Sequence, residues 1–447
     1  MSSLKAKLAA MSSKLTARCG GEEKRGGEKH GAAPPRRPNA KKRKRGDADP
    51  SARYLAQPLS APIVGRWRSY FGAGREVRVG PKRGWRTVAK LAARRVGGRV
   101  LLGLFAPGTH EIRASARDAA AHSDALNVAV AAVERACGDV AVYETGDAAG
   151  NGALTYVGFA EETATRTVSV SLVFNAAPGG ADAAAEAVAR RVAGAPWLHS
   201  LHAHCNSVSP HDNAIYGRGG PETWRQLHPT PATRTSGFGY DAAGCTTEAP
   251  LSAAVPLHFA PQCFRQANLR QFFEIVKAAK RFVRPGDAVV EFYGGVGTIG
   301  AHLLDVAASV ACSDENPWND GCVALLKARL PPALAAKLTY EPRAAGDLAR
   351  AGRLADCDVV LVDPPRKGLC PEVLDALLDP APDGAAASVE RLLYVSCGFD
   401  ALQRELGLLL KSQLWTLAHA EAHVLFPGSD HVETLAVFDR APAPKRR

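Results

Sequence analysis

Paired cysteines and long apolar runs are missing from this 447-residue sequence. Its ten cysteines are scattered, and no two form a Cys-x-x-Cys pair. That argues against a zinc ribbon, gives no sign of a secreted disulfide scaffold, and favours a reducing compartment. No uninterrupted apolar run approaches the ~18 residues needed to cross a bilayer, so no membrane span is expected. What is present is ordinary for a globular chain, with 46% hydrophobic and 22% charged residues and length enough for two or three domains.

Charge is plentiful but badly distributed. The net charge is +12, yet residues 1–50 hold 14 Lys and Arg against 5 acids, a net +9, and leave only +3 for everything else. Residues 1–52 are rich in Lys, Arg, Gly, Ala, Ser and Pro and are expected to form a disordered basic tail. The first 21 residues lack any acid, which suits an organellar transit peptide, while Lys41-Lys42-Arg43-Lys44-Arg45 suits a nuclear signal or a phosphate-binding arm. Localisation is therefore left between plastid or mitochondrion and nucleus.

Two further units are expected. Residues 53–260 mix Ala-rich helical stretches (124–136, 181–194) with strand-like pieces such as Thr167-Val-Ser-Val-Ser-Leu-Val-Phe174, a smaller α+β domain. Residues 206–250 read as loop or hairpin. In residues 261–447 a helix over 266–282, with Leu269, Phe272, Phe273 and Val276 on one face, is followed by short apolar strands alternating with helices. The strands are placed at 288–293, 310–314, 357–362, 391–396 and 433–438. That alternation predicts an α/β, doubly wound, mostly parallel, seven-stranded Rossmann-like sheet, with ligands at the carboxyl ends of its strands.

The chemically loaded residues fall at those ends. Val289 to Thr298 is a strand running into a glycine turn and a helix, where Gly294, Gly295 and Gly297 allow close approach to a ligand. The turn is read as neither a dinucleotide-binding nor a Walker-type loop. Asp314, ending the next strand, suits a ribose diol or, equally, a helix N-cap. Asp363-Pro-Pro-Arg366-Lys367-Gly delivers a carboxylate into a stiff turn with two cations at its mouth. Cys397, after a buried strand, suits nucleophilic attack, although free cysteines more often just pack. Glu433, entering the last strand, suits a base that works with it.

Tyr293-Gly-Gly-Val-Gly, Asp363-Pro-Pro-Arg-Lys-Gly, Val395-Ser-Cys397 and His431-Val-Glu433-Thr, with Phe264-Arg-Gln266-Ala-Asn268 ahead of them, resemble the RNA uracil-5 methyltransferase family. The resemblance is strong over about 261–438 and weaker upstream, at Pro81-Lys-Arg-Gly-Trp85-Arg86 and Leu102 to His110. It implies an S-adenosylmethionine-dependent enzyme that forms 5-methyluridine in tRNA or rRNA. Gln266, Tyr293, Gly295, Asp314, Asp347 and Asp363 would hold the methyl donor. Cys397 would be the nucleophile, Glu433 the proton acceptor, and Arg366 and Lys367 contacts to RNA phosphates. RNA is then the partner, with no obligate protein partner evident.

The sequence also departs from the family pattern. Gly398-Phe399 stands where Asn-Pro usually follows the nucleophile, Gly294 where a Cys is frequent, and Val424 where an Asp is common. Ala119 replaces a cysteine that some relatives use for an iron–sulfur cluster, so no cluster is expected. His199-x-x-His202-x-His204-Cys205, followed by His211, has zinc-like residue types, but a His-rich substrate-domain strand is the preferred reading and no metal is expected. Two other readings stay open: the same fold acting on cytosine, and an RNA-binding or RNA-folding protein in which methylation is dispensable or lost.

Overall fold

The computed structural model describes residues 53–442 apart from 107, 145–146, 208–214, 217–219, 230–243, 250–254, 382–383 and 385. The basic tail, the Lys41–Arg45 run and His211 lie outside the described residues.

Two sheets organise the chain. The smaller has six strands in the order β3-β2-β4-β5-β6-β7. They are β2 (Val88–Val96), β3 (Arg99–Gly103), β4 (Leu154–Glu162), β5 (Thr167–Phe174), β6 (Leu198–Cys205) and β7 (Trp224–His228). Gly97 and Gly98, with φ of 56° and 79°, make the two-residue hairpin between β2 and β3, a turn that needs left-handed backbone at both positions. Helices α2 (Asp124–Ala136) and α3 (Asp182–Val192) cover one face of this sheet. Their Leu126, Val130, Val133 and Val188 share a core with Leu91, Val157, Val170 and Leu172. Ser123 caps α2 by accepting from the Leu126 amide.

The larger sheet has eight strands in the order β1-β15-β16-β14-β13-β10-β11-β12. Strands β10 (Ala288–Phe292), β11 (Ser309–Ser313), β12 (Leu338–Glu341), β13 (Val359–Val362) and β14 (Arg391–Ser396) are parallel, and β16 (Glu433–Arg440) runs antiparallel between β14 and β15 (Trp415–Val424). The central parallel strands β10, β13 and β14 are short, mainly apolar and buried on both faces, as strands between helical layers must be. Helix α4 (Leu269–Lys280) and α5 (Trp318–Arg329) belong to one layer. The other holds α7 (Ala345–Arg350), α8 (Pro371–Leu378) and α9 (Phe399–Lys411), with the single turn α6 (Pro332–Ala335) outside it.

Several expectations are corrected. The sheet has eight strands rather than seven, because β1 (Val77–Val79) pairs in parallel with β15 at its edge. With it comes α1 (Pro62–Phe71), whose Trp67 and Phe71 enter the core of the larger sheet. Residues 62–79 therefore pack with the C-terminal unit and not with the unit assigned to 53–260. So does the hairpin of β8 (Thr246–Glu248) and β9 (Leu257–Phe259), whose Leu257 and Phe259 share a core with α4. The segment 206–250 accordingly contains strand β7 and strand β8 besides turns. Finally, the glycine turn after β10 leads into a 3₁₀ turn at Gly300–Leu303 rather than an α-helix. Glycine is a poor helix former, and the Glu291 carboxylate accepts from the Gly300 amide at 3.1 Å.

Candidate active site

The ends of the parallel strands bring most of the expected residues together. Val362 on β13 pairs with Phe292 on β10 and Tyr394 on β14, so Tyr293 and Asp363 are each one residue past neighbouring strands. Between them opens a cleft lined by Gln266, Glu291, Tyr293, Gly295, Asp363 and Phe264. Apolar Phe272 and Ile299, with Gly294 and Thr298, complete the lining.

Tyr293 has a φ of 60°, left-handed backbone that a non-glycine residue adopts only under constraint. Its hydroxyl donates to Cys370 Sγ and accepts from the Cys370 amide at 3.1 Å, and this pair of bonds holds the turn. Gly295, Gly297 and Gly300 do fall at Gly-x-Gly-x-x-Gly spacing, which corrects the reading of the motif. The turn still departs from a dinucleotide loop, because its third glycine opens a 3₁₀ turn and not an α-helix. The Gly295 amide donates to Asp314 Oδ2 at 3.1 Å, and the Asn316 amide and Asn319 Nδ2 donate to Oδ1. Asp314 thus braces the turn from β11.

Gln266 and Phe264 face the cleft because Arg265 between them is anchored the other way. Its guanidinium donates to Glu248 Oε1 at 2.5 Å, to the Glu161 carbonyl at 2.6 Å and to Thr246 Oγ1 at 3.0 Å. Phe264 is left 69% exposed at the mouth. Asn268 caps α4 by accepting from the Gln271 amide and donates to the Leu425 carbonyl at 2.7 Å.

Cys397 and Glu433 come together at the end of an antiparallel ladder. Ser396 on β14 and Thr434 on β16 form its last pair, Cys397 follows the one and Glu433 precedes the other, and the charge of Glu433 reaches the Cys397 thiol. Glu433 is 5% exposed and its Oε2 has no hydrogen-bond partner among the described residues. Burial pushes its carboxyl up to about 7, with the Arg366 guanidinium pulling the other way. Burial also pushes the Cys397 thiol up to about 11, helped by the negative charges of Glu433 and Asp363 and opposed by Arg366. Asp363 is raised well above its ordinary range, by burial first and then by Glu433 and Glu291.

Arg366 and Lys367 are exposed beside this pair. Arg366 Nη2 lies 3.3 Å from His431 Nε2, and His431 lies edge-on to Phe426 at 6.4 Å. From the substrate-side unit Trp85 packs on Phe426 at 5.4 Å, with the Arg86 guanidinium over both rings. The two units therefore meet at the edge of the site. Asp347 is placed elsewhere: it is exposed on α7, ion-paired with Arg350 at 2.5 Å, and does not line the cleft.

Two functional-looking residues lie inside the motifs but were given no role in them. Glu291 lines the cleft, is buried, and is pushed up to about 7 by burial. Its signal was an acid inside an otherwise apolar strand. His431 stands beside Arg366, where its position two residues before Glu433 on the approach to β16 put it. His202 and His204, by contrast, are buried and uncharged in character, with burial pushing them down to about 3 and about 4. His204 stacks on Trp224 at 4.2 Å, and no group of three metal-ligating side chains occurs among the described residues.

The departures from the family pattern have local partners. A Cβ at Gly294 would lie 2.5 Å from Cys312 Sγ, so Cys312 fills the space in front of that turn. A Cβ at Gly398 would lie 2.4 Å from the Arg366 carbonyl oxygen, so glycine lets the Asp363 loop close on the end of β14. Phe399 packs edge-on against Tyr70 of α1 at 6.1 Å, and Val424 is buried with Ala61 and Val64.

No family model matches the chain. An RNA methyltransferase of Protochlamydia amoebophila, itself uncharacterised, is 30% identical over 366 residues, which cover 80% of this chain and 86% of that protein. The 23S rRNA (uracil(1939)-C(5))-methyltransferase of Cupriavidus metallidurans is 32% identical over 197 residues, 42% of this chain and 40% of that enzyme. The chain thus matches about two-fifths of the length of that relative. The solved structure of the Pyrococcus abyssi tRNA (uracil-54, C5)-methyltransferase, in complex with S-adenosyl-L-homocysteine, superposes with a TM-score of 0.60 at 18% identity, covering 84% of this chain and 81% of that one. That likeness establishes the fold. With the near-full-length relative, the chain belongs to the RNA methyltransferases.

Proposed function

We propose that this enzyme forms 5-methyluridine in tRNA or rRNA, with Cys397 as nucleophile and Glu433 as base. The observation that carries the reading is their proximity at the end of the β14–β16 ladder, beside a cleft lined by the Glu291 and Asp363 carboxyl groups. Such a cleft fits a cationic nucleoside. Burial holds Glu291 and Asp363 above their ordinary ranges, with the charge of Asp314 adding to the first and those of Glu433 and Glu291 to the second, and a positive ligand relieves both. S-adenosylmethionine, when bound there, supplies an electrophilic methyl group; Gln266, Tyr293, Asp314 and Asp363 are the residues proposed to hold it.

Uracil C5 is a weak nucleophile. Addition of the Cys397 thiolate to C6 forms a C–S bond and moves the C5–C6 electron pair onto C5 and O4, so that C5 accepts the methyl group. Glu433 then takes the C5 proton, the double bond re-forms, and the C–S bond breaks with its pair returning to sulfur. Arg366 stabilises the thiolate before attack and the carboxylate that must receive the proton. The target base has to leave its stack to reach this position, and Phe264 at the mouth offers a ring for it.

The test is direct. Purified protein is incubated with labelled methyl donor and RNA. Cys397→Ala should lose methylation, and Glu433→Gln should accumulate a protein–RNA adduct that survives denaturing electrophoresis. Full methylation by Cys397→Ala would overturn the mechanism. Nucleoside mass spectrometry of the product separates 5-methyluridine from 5-methylcytosine, and run on tRNA and rRNA separately it names the substrate class.

A further inference from the structure

The six-stranded sheet carries a feature that the methyl-transfer site does not use. Its helix-free face bears Lys90, Ala92 and Arg94 from β2, since Ala89, Leu91 and Ala93 point into the helix-covered core. Arg94 is 8% exposed. Its Nη1 donates to the Ala93 carbonyl at 2.7 Å, but its Nε is buried without a partner among the described residues. The carboxylate whose charge reaches it, Asp147, is turned to the Glu144 amide at 2.8 Å.

A buried cation without a carboxylate bonded to it is costly to keep. Aromatic rings surround this one. The guanidinium lies over Phe105 at 5.0 Å and over Tyr143 at 5.1 Å. Phe105 in turn meets His110 edge-on at 5.3 Å and Tyr156 at 6.3 Å. Tyr143 is buried, Phe105 and Tyr156 are half-buried, and His110 is exposed, so the rings reach solvent on one side.

We propose that Arg94, Phe105, His110 and Tyr156 form a second nucleotide subsite, taking one unstacked base of the RNA strand on the rings and its phosphate on Arg94. Arginine is the side chain best matched to phosphate oxygens, and aromatic faces accept any base by stacking. The subsite is remote from the chemistry. Thr87 at the foot of β2 donates to the Ala267 carbonyl beside Gln266. From there to Arg94, at about 3.3 Å per residue, is about 23 Å. It therefore engages a nucleotide several positions from the target uridine, and governs how tightly and in which register RNA binds.

This inference rests on the RNA reading of the active site, and the experiment separates the two. Binding of a labelled oligouridine and of an RNA that the wild-type protein methylates is followed by fluorescence anisotropy, with S-adenosyl-L-homocysteine binding as a check on the cleft. Phe105→Leu keeps an apolar side chain but loses the ring. It should weaken RNA binding about tenfold and leave S-adenosyl-L-homocysteine binding unchanged, and Phe105→Tyr should restore RNA binding. Arg94→Gln should lower the salt dependence of binding by about one ion; that measurement decides the matter if Phe105→Leu does not fold. Wild-type RNA affinity in Phe105→Leu, or an unaltered salt slope in Arg94→Gln, overturns the subsite while leaving the methyltransferase reading intact. A wild-type protein that binds neither RNA overturns both.

Discussion

At the scale of single residues, one guanidinium sets the reactivity of two groups. Arg366 opposes the burial that raises both the Cys397 thiol, at about 11, and the Glu433 carboxyl, at about 7. In the proposed mechanism both act in their deprotonated forms. Removing the cation raises both further, so Arg366→Gln should move the pH–rate profile to higher pH, with about a tenfold loss at neutral pH that is regained in alkali. An unchanged profile would show that Arg366 acts only on RNA.

Glu433 also leaves a mark on stability. Its folded carboxyl titrates near 7, above the ordinary 4.5. A carboxyl raised on folding binds its proton more tightly in the native state, so its contribution is present at low pH and is lost as pH rises through 7. Glu433→Gln removes that loss. The variant should therefore be inactive yet more stable than wild type above pH ~7, by up to about 3 kcal/mol, with the difference vanishing in acid. Thermal melts across pH check this.

At the scale of elements, α1 is the piece that ties the start of the described chain to the site. Trp67 is fully buried, its indole N–H donates to Thr434 Oγ1 at 3.0 Å, and its ring packs on Phe71 at 4.9 Å. Thr434 follows Glu433, so the helix steadies the strand that carries the proposed base. Trp67→Phe should cost about 1–3 kcal/mol from the lost hydrogen bond and the cavity, and lower turnover more than donor affinity. Equal loss of turnover and donor affinity would mean a general loosening. The same helix explains Val424. An acid there would face Ala61 and Val64 with no partner, whereas valine completes their packing.

Elements differ in how well the sequence announced them. The parallel strands 288–292, 359–362 and 391–396 are Val- and Leu-rich and buried on both faces, and their periodicity was plain. Strand β15 was not, because it is built from Ala, His and Glu, residues with little strand preference. Its buried Glu421 is held by His423 at 2.9 Å and His419 at 3.0 Å, a network only the fold assembles. Strand β1, three residues long, gains its place from pairing with β15. The strand ends at Tyr293, Asp363 and Cys397 were legible because each carries a polar side chain directly after an apolar run. Asp347 matched a motif position weakly and stands away from the cleft.

For the whole molecule, the distribution of charge separates two kinds of RNA contact. Residues 1–50 carry +9 of the net +12, while the remainder is nearly neutral. Deleting residues 1–52 should therefore weaken RNA binding at low salt and flatten its salt dependence, while turnover at saturating RNA stays the same. A fall in turnover would place the tail within the catalytic cycle. The two sheets, in turn, are locked by Arg265, whose buried pair with Glu248 and bond to the Glu161 carbonyl hold the Gln266 segment between them.

The sequence by itself determined the chemistry: a cysteine, a glutamate and a row of carboxylates, each placed by an apolar strand that had to be buried. Only the tertiary structure decided how those groups stand to one another. The approach of Cys397 to Glu433 depends on the pairing of β14 with β16, strands separated by residues 397–432, and their raised proton affinities depend on burial. Hydrophobic pattern is local and can be read along a chain. Register, desolvation and the reach of a single guanidinium are set by contacts between segments distant in sequence, which no local pattern encodes.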